Sequence, residues 1–287
     1  MKNVHARHIA SLPLQGSQKS KTAVRLYWLG QAGFLIDFFD IRIVIDPYLS
    51  NSLNAKYRGT RFPHERMMPA PVKPNELANV DWVISTHGHT DHMDPETLQA
   101  IFDASPDARY LVPTAELDRA LERGGPVSRT VGIDVDAEIA LSEEVGATAL
   151  PAAHEEEERD QEGHHRFLGF VFRGQGVSVY HSGDTIPFAG LRGHLEKERP
   201  DLGLLPVNGR DAKRRSNGVP GNMTLQEAVG LLTDGFFEAA IGHHYGLFDF
   251  NTVDLAEAES YLANLEADVK ERFFMAKLET EYEVVPD

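Results

Sequence analysis

Hydrophobic and polar positions along this chain of 287 residues alternate between short β-branched apolar runs and turns rich in glycine, proline and acid. Residues 23–29 and 34–38 read as strands joined at Gly30-Gln31-Ala32-Gly33, and 41–45 follows a turn at Phe39-Asp40 and ends in Asp46-Pro47. Together they form an opening β-meander. Residues 48–74 are proline-rich and irregular, longer than a plain connection, so the stretch 48–75 is expected to cover a functional cleft. The run Asp81-Trp82-Val83-Ile84-Ser85-Thr86 has the unbroken apolar character of a strand buried on both faces, and a helix follows over 95–102.

Strands at 109–112 and 147–152 flank a helical stretch near 115–123, and 155–162 is an acidic loop. Residues 167–172 and 177–181 are strands separated by the hairpin signal Arg173-Gly174-Gln175-Gly176. Another buried strand spans 202–207. Thr224-Leu225-Gln226-Glu227 is a capping box that opens a helix running to about 233, and 239–242 forms a short strand ending in His243-His244-Tyr245. A helix at 253–265 and a strand pair, 273–278 with 281–285, close the chain. With no repeat and no linker-like boundary, residues 1–287 read as one domain that includes a polar N-terminal extension at 1–22.

Composition narrows the function. A 41% apolar content supports a sizeable core, and no run approaches the roughly 18 apolar residues of a membrane span. The N-terminus lacks an apolar signal core, so a soluble cytoplasmic protein is expected. Cysteine is absent, which removes disulfides and a thiolate nucleophile. A net charge of −16 argues against nonspecific nucleic-acid binding, and the chain offers no basic amphipathic segment to seat it on anionic lipid. The expected partner is a small molecule, and homo-oligomer formation is left open.

The buried run empties into His87-Gly88-His89-Thr90-Asp91-His92, three imidazoles and a carboxylate in one turn. Neutral imidazole and carboxylate suit zinc, manganese or iron, and a donor set without thiolate is usually catalytic. The grammar repeats, since four strands finish in His or Asp.

The pattern His-x-His-x-Asp-His resembles the signature of the metallo-β-lactamase superfamily, and His154, Asp184 in Ser182-Gly183-Asp184-Thr185 and His243-His244-Tyr245 follow in that family's order. The resemblance implies an α/β four-layer αββα sandwich of two mixed sheets, with two divalent ions at one edge (Zn2+ or Mn2+, with Fe2+ as the alternative). It implies His87, His89 and His154 on one ion, Asp91, His92 and His244 on the other, and Asp184 between them. His244 is preferred to His243 because the family's last ligand sits at a strand end and Tyr245 aligns with the tyrosine that often follows it.

Two such ions, about 3.5–4 Å apart, acidify a shared water enough to give hydroxide near neutrality. Asp91 is then expected to orient that hydroxide or carry a proton to the leaving group, and Tyr245 to donate to a substrate oxygen or merely pack. The segments Tyr27-Trp28-Leu29-Gly30-Gln31-Ala32-Gly33, Tyr180-His181-Ser182-Gly183-Asp184 and Gly221-Asn222-Met223-Thr224 resemble the L-ascorbate-6-phosphate lactonase-like branch. That resemblance implies hydrolysis of a lactone or ester in a small, anionic, sugar-acid-like substrate. The rivals are a metal-dependent phosphodiesterase and a non-catalytic sensing module on the same fold.

Among the remaining polar residues, the basic stretch from Asn208 through Arg210 and Lys213 either grips a substrate phosphate or carboxylate or is a solvated loop. Asp46 is expected to accept a hydrogen bond from a metal-bound imidazole, and His181 to be a hydrogen-bonded core group that supports the site. Tyr57, Arg58 and Arg61 belong to the long early loop and are candidates to line the cleft, though their spacing alone carries no information, and His64 is assigned no chemistry.

Overall fold

The computed structural model describes residues 4–14 and 22–286. Two sheets hold nearly all the strands predicted above. In spatial order the first contains β1 (Val4–His8), β15 (Thr280–Val284), β2 (Val24–Gly30), β3 (Gly33–Phe38), β4 (Ile41–Ile45), β5 (Trp82–Ile84), β6 (Arg109–Pro113) and β7 (Thr130–Ile133). The second contains β14 (Phe273–Met275), β13 (Ala239–His243), β12 (Leu202–Pro206), β11 (Val177–His181), β10 (Leu168–Gly174), β9 (Gly146–Pro151) and β8 (Glu138–Ala140). Each sheet is antiparallel at one end and parallel at the other: β4 to β7 run parallel in the first, and β11 to β14 in the second.

Apolar runs are continuous because both faces of the first sheet are covered. Along β2, Leu26 and Trp28 point into the core shared with the second sheet, while Tyr27 and Leu29 join Leu98, Ile101 and Phe102 of the helix Pro95–Ala104 on the other side. That helix starts on Asp94, whose carboxylate accepts the Thr97 amide, and on Pro95 at its first position. Outside the second sheet the capping-box helix Leu225–Thr233 buries Leu225, Ala228, Val229, Leu231 and Leu232. The result is the four-layer αββα sandwich.

Several expectations need correction. The closing strands do not pair with each other: β14 lies parallel to β13 in the second sheet, and β15 antiparallel to β2 in the first. The Ala276 amide donates to Gly242 O, and the chain then crosses between the sheets through a turn with Glu279 at φ 54°. Within the expected N-terminal extension, Val4–His8 forms an edge strand against β15, and residues 1–3 and 15–21 lie outside the described residues. The stretch 48–75 is less irregular than its composition implies, since it carries the helix Ser52–Tyr57. Strands β7 and β8 and the helices Leu191–Glu198, Ala212–Ser216 and Ala267–Arg272 were not anticipated, being short or polar on most faces.

Candidate metal centre

Strands β5, β9, β11 and β13 all end at the same edge of the sandwich, where carboxyl ends of strands characteristically present ligands to a crevice. The turn after β5 brings His87, His89, Asp91 and His92; the loop after β9 brings His154; the turn after β11 brings Asp184; and His244 follows β13. These seven side chains, scattered over the sequence, meet around one buried carboxylate. Asp184 Oδ2 stands 3.1 Å from His244 Nε2, 3.4 Å from His92 Nε2 and 3.8 Å from His154 Nε2. His87 Nε2 lies 3.0 Å from His89 Nδ1, and Asp91 Oδ2 lies 3.8 Å from His92 Nε2.

The Nδ1 of three of the imidazoles faces an oxygen acceptor. Thr86 Oγ1 gives its proton to Asp46 at 2.7 Å, so at 3.0 Å it accepts one from His87 Nδ1. Asn222 Oδ1 accepts from His154 Nδ1 at 3.0 Å, and Asp46 Oδ2 stands 2.8 Å from His92 Nδ1. With the proton held on Nδ1, the Nε2 lone pair of all three rings is left for a cation. Asp46, fully buried at φ 47°, also accepts the Thr86 amide at 2.8 Å.

Electrostatics fit the same arrangement. Burial pushes His87 well below the usual imidazole range and His154 down to about 4, so both favour the neutral, ligating form. Burial also opposes protonation of His92, but Asp184, Asp46 and Asp91 outweigh it and hold that ring charged when no cation is present. Burial disfavours the Asp184 carboxylate, yet His244 and His92 keep it ionised well below the ordinary range. Asp184 Oδ1 is buried without a hydrogen-bond partner among the described residues. An orphaned carboxylate oxygen amid imidazole nitrogens, with no thiolate in the set, fits hard or borderline divalent ions and costs stability without one.

The histidine pair separates cleanly. His244, at φ 62° and held by its amide on Gln31 O at 2.8 Å, turns toward Asp184. His243 is the last residue of β13 and points between the sheets, stacked on His181 at 5.1 Å and edge-on to Phe34 at 5.5 Å. His181 donates from Nε2 to Ala32 O at 2.9 Å and accepts the Gly183 amide at 3.1 Å, fixing the turn that carries Asp184. Gly183 (φ 60°) cannot be replaced there, because a Cβ would sit 2.6 Å from Leu168 O.

Four other residues do not reach the cleft. Tyr245 stacks on Trp28 at 5.2 Å and donates its hydroxyl to Ala276 O, so it packs rather than faces a substrate. Arg210 is engaged bidentately by Glu227 at 2.6 and 2.7 Å, Asn208 donates to Asn251 at 2.8 Å, and Lys213 stands exposed on the helix Ala212–Ser216. Arg210 and Tyr245 are thus engaged by Glu227 and by a backbone carbonyl, and neither they nor Asn208 and Lys213 line the cleft.

Residues the sequence did not assign fill their place. Gln31 donates to Asp91 Oδ2 at 2.9 Å, and Arg123 donates to Gly88 O and Met93 O, both at 3.0 Å, bracing the turn after β5. Gln31 and Asn222 both lie in the segments that carried the branch resemblance, which was the available signal for them.

His89, Asp91, His154, Asp184 and His244 line a cleft of about 760 Å³ together with Tyr57, Arg61, Phe62 and His64, with Asn217–Pro220 and with Phe248 and Phe250. This sandwich, with its strand-end cluster of His and Asp, defines a metallo-β-lactamase-superfamily protein; the family model of the beta-lactamase superfamily domain matches residues 41–245. More narrowly, the chain belongs to the UPF0173 metal-dependent hydrolase family. It is 31% identical to the member from Archaeoglobus fulgidus, over 78% of this chain and 84% of that one. Among solved structures, the fold is shared with Igni18, a metallo hydrolase from Ignicoccus hospitalis (TM-score 0.67, 19% identity, 93% of this chain and 100% of that one). It is shared as well with the isothiocyanate hydrolase from Delia radicum gut bacteria (TM-score 0.68, 20% identity, 89% and 98%). Among the described residues no helix is long and apolar enough to cross a membrane.

Proposed function

We propose that the protein hydrolyses a lactone or related ester bond in a small anionic molecule, with two divalent ions held by His87, His89 and His154, by Asp91, His92 and His244, and by Asp184 between them. The observation that carries this reading is the convergence of His92, His154 and His244 on the buried Asp184 at the floor of an open cleft. Bound there, such ions supply Lewis acidity that makes water nucleophilic near neutral pH. Asp91, oriented by Gln31, faces the cleft where it can take the proton from the attacking water and return it to the leaving oxygen. Asp46, Thr86 and Asn222 hold the imidazole tautomers that keep nitrogen lone pairs inward. The family name and the lactonase-like segments around Gln31, Asp184 and Asn222 support hydrolysis, while the ester or lactone bond is our own reading.

The test is direct. Protein stripped by chelation and reloaded separately with Zn2+, Mn2+ and Fe2+ is assayed on a γ-lactone panel beside bis(p-nitrophenyl) phosphate. Turnover of lactones that disappears on chelation and in Asp184→Ala is the expected result. Preference for the phosphodiester would make the protein a phosphodiesterase, and full metal loading with no turnover of either class would leave a sensing module.

A further inference from the structure

We propose that the cleft selects substrates joining a flat apolar group to an anionic one, the apolar part lodged against an aromatic wall and the anion held at the rim by Arg61 and Lys56. The proposal rests on the hydrolase reading only for the bond that reacts. The cleft is two-sided in chemistry: its floor is the imidazole–carboxylate cluster, and its wall is made of rings. Phe62 and Phe250 are 4.8 Å apart, His64 lies 4.7 Å from Phe250 and 5.0 Å from Phe248, and Tyr57 stacks on His64 at 4.3 Å.

These rings come from two distant segments, the loop after β4 and the turn after β13, and are packed against one another rather than into the main core. Phe62, His64 and Phe250 remain only half-buried at the edge of a space large enough for a small molecule. Aromatic faces kept wet in the cleft that holds the reactive centre are what a site for a planar apolar group consists of.

The cations complete the argument. In a chain of net charge −16, every arginine of the basic stretch after β12 is already paired: Arg210 with Glu227, Arg214 with Asp211 at 2.6 Å, Arg215 with Glu155 at 3.0 Å. Lys56 and Arg61 line the cleft and, among the described residues, stand within ion-pair distance of no carboxylate. Among the described residues Arg61 donates only to Asn217, which also lines the cleft, and its guanidinium lies 5.4 Å from the Phe62 ring. The anion expected at Arg210 is therefore reassigned to Arg61, next to the rings that would hold the apolar part.

Binding can be read without turnover. Calorimetry on metal-loaded protein compares 3-phenylpropionate, propionate and 3-phenylpropanamide, with Phe62→Ala, Phe250→Ala, Phe250→Leu and Arg61→Gln, each first matched to wild type in metal content and circular dichroism. The phenyl group should tighten binding about tenfold, the increment of one good aromatic contact plus its burial. Phe62→Ala, on the exposed loop and least able to unfold the protein, should erase most of that increment. Arg61→Gln should weaken both carboxylates by a similar factor and leave the amide unchanged.

Equal affinity for propionate and 3-phenylpropionate, or a phenyl increment untouched by both phenylalanine variants, overturns the aromatic half. Carboxylate binding indifferent to Arg61→Gln overturns the anionic half by seating that group on the metals. The same pairs made as γ-lactones with and without a phenyl substituent separate the two ideas. Opening of both at equal efficiency sinks the selectivity and keeps the hydrolase, while the expected binding pattern with no opening of either does the reverse.

Discussion

Replacing Asp46 by Asn changes one atom and tests how the metal centre is held. The position sits at φ 47°, a left-handed conformation that Asn tolerates nearly as well as Asp, so backbone strain is not introduced. The amide oxygen still accepts the Thr86 N–H now bonded at 2.8 Å, but the amide nitrogen faces the Thr86 hydroxyl at 2.7 Å and His92 Nδ1 at 2.8 Å. Asn donates where Asp accepted. His92 must then present an unprotonated Nδ1 and carry its proton on Nε2, the nitrogen aimed at Asp184 from 3.4 Å. Loss of such a support typically lowers metal affinity 10- to 100-fold, about 1.4–2.8 kcal/mol.

Equilibrium dialysis against graded free Zn2+ and Mn2+, read by elemental analysis, measures this directly. Of the two ions proposed above, one should be lost from Asp46→Asn at concentrations that saturate wild type. The folded protein should persist, because the hydrogen bond to the Thr86 backbone survives. If both ions bind within twofold of wild type in a properly folded variant, the claim that Asp46 sets the His92 tautomer is wrong.

Other substitutions probe the corrections the fold imposed. Tyr245→Phe removes only the buried hydrogen bond to Ala276 O and should cost about 1 kcal/mol in urea unfolding with kcat unchanged; a large fall in kcat would restore a catalytic role. Arg210→Gln breaks a partly exposed pair with Glu227 and should cost no more than about 1 kcal/mol while leaving KM unchanged, whereas a raised KM would return it to the substrate.

Glu281 accepts from Tyr27 Oη at 2.6 Å and from Arg7. Burial opposes its charge, but these bonds hold its pKa below the ordinary 4.5. Its stabilisation is therefore complete above about pH 4.5 and vanishes as pH falls through the lowered native value. The stability gap between wild type and Glu281→Gln should be widest near neutrality and close on acidification, and denaturant melts showing a gap independent of pH would refute it.

Much of the candidate site was legible because its residues are consecutive or punctuate strands. His87, His89, Asp91 and His92 share one turn, where type and spacing alone pointed to metal, while His154, Asp184 and His244 each follow a recognisable apolar run and were marked by the family resemblance. The strand Trp82–Ile84 was readable for a related reason: a β-strand covered on both faces has no polar positions to interrupt it. Failures clustered where partner choice, not composition, decides. The strands Phe273–Met275 and Thr280–Val284 look like a hairpin in sequence, yet each finds a better partner in a different sheet. Arg210 looks free until Glu227, 17 positions on, returns to meet it.

The sequence by itself determined the chemistry on offer: imidazole and carboxylate without thiolate, acid in excess, and strands whose ends carry the polar donors. Those properties belong to side chains and to local periodicity, which survive without a partner. Only the tertiary structure decided which of two adjacent histidines faces Asp184, that Tyr245 packs on Trp28, and that Arg61 rather than Arg210 stands at the cleft. The direction of a side chain and the availability of a charge depend on what two sheets and a distant loop bring against them, and such contacts have no local signature in the chain.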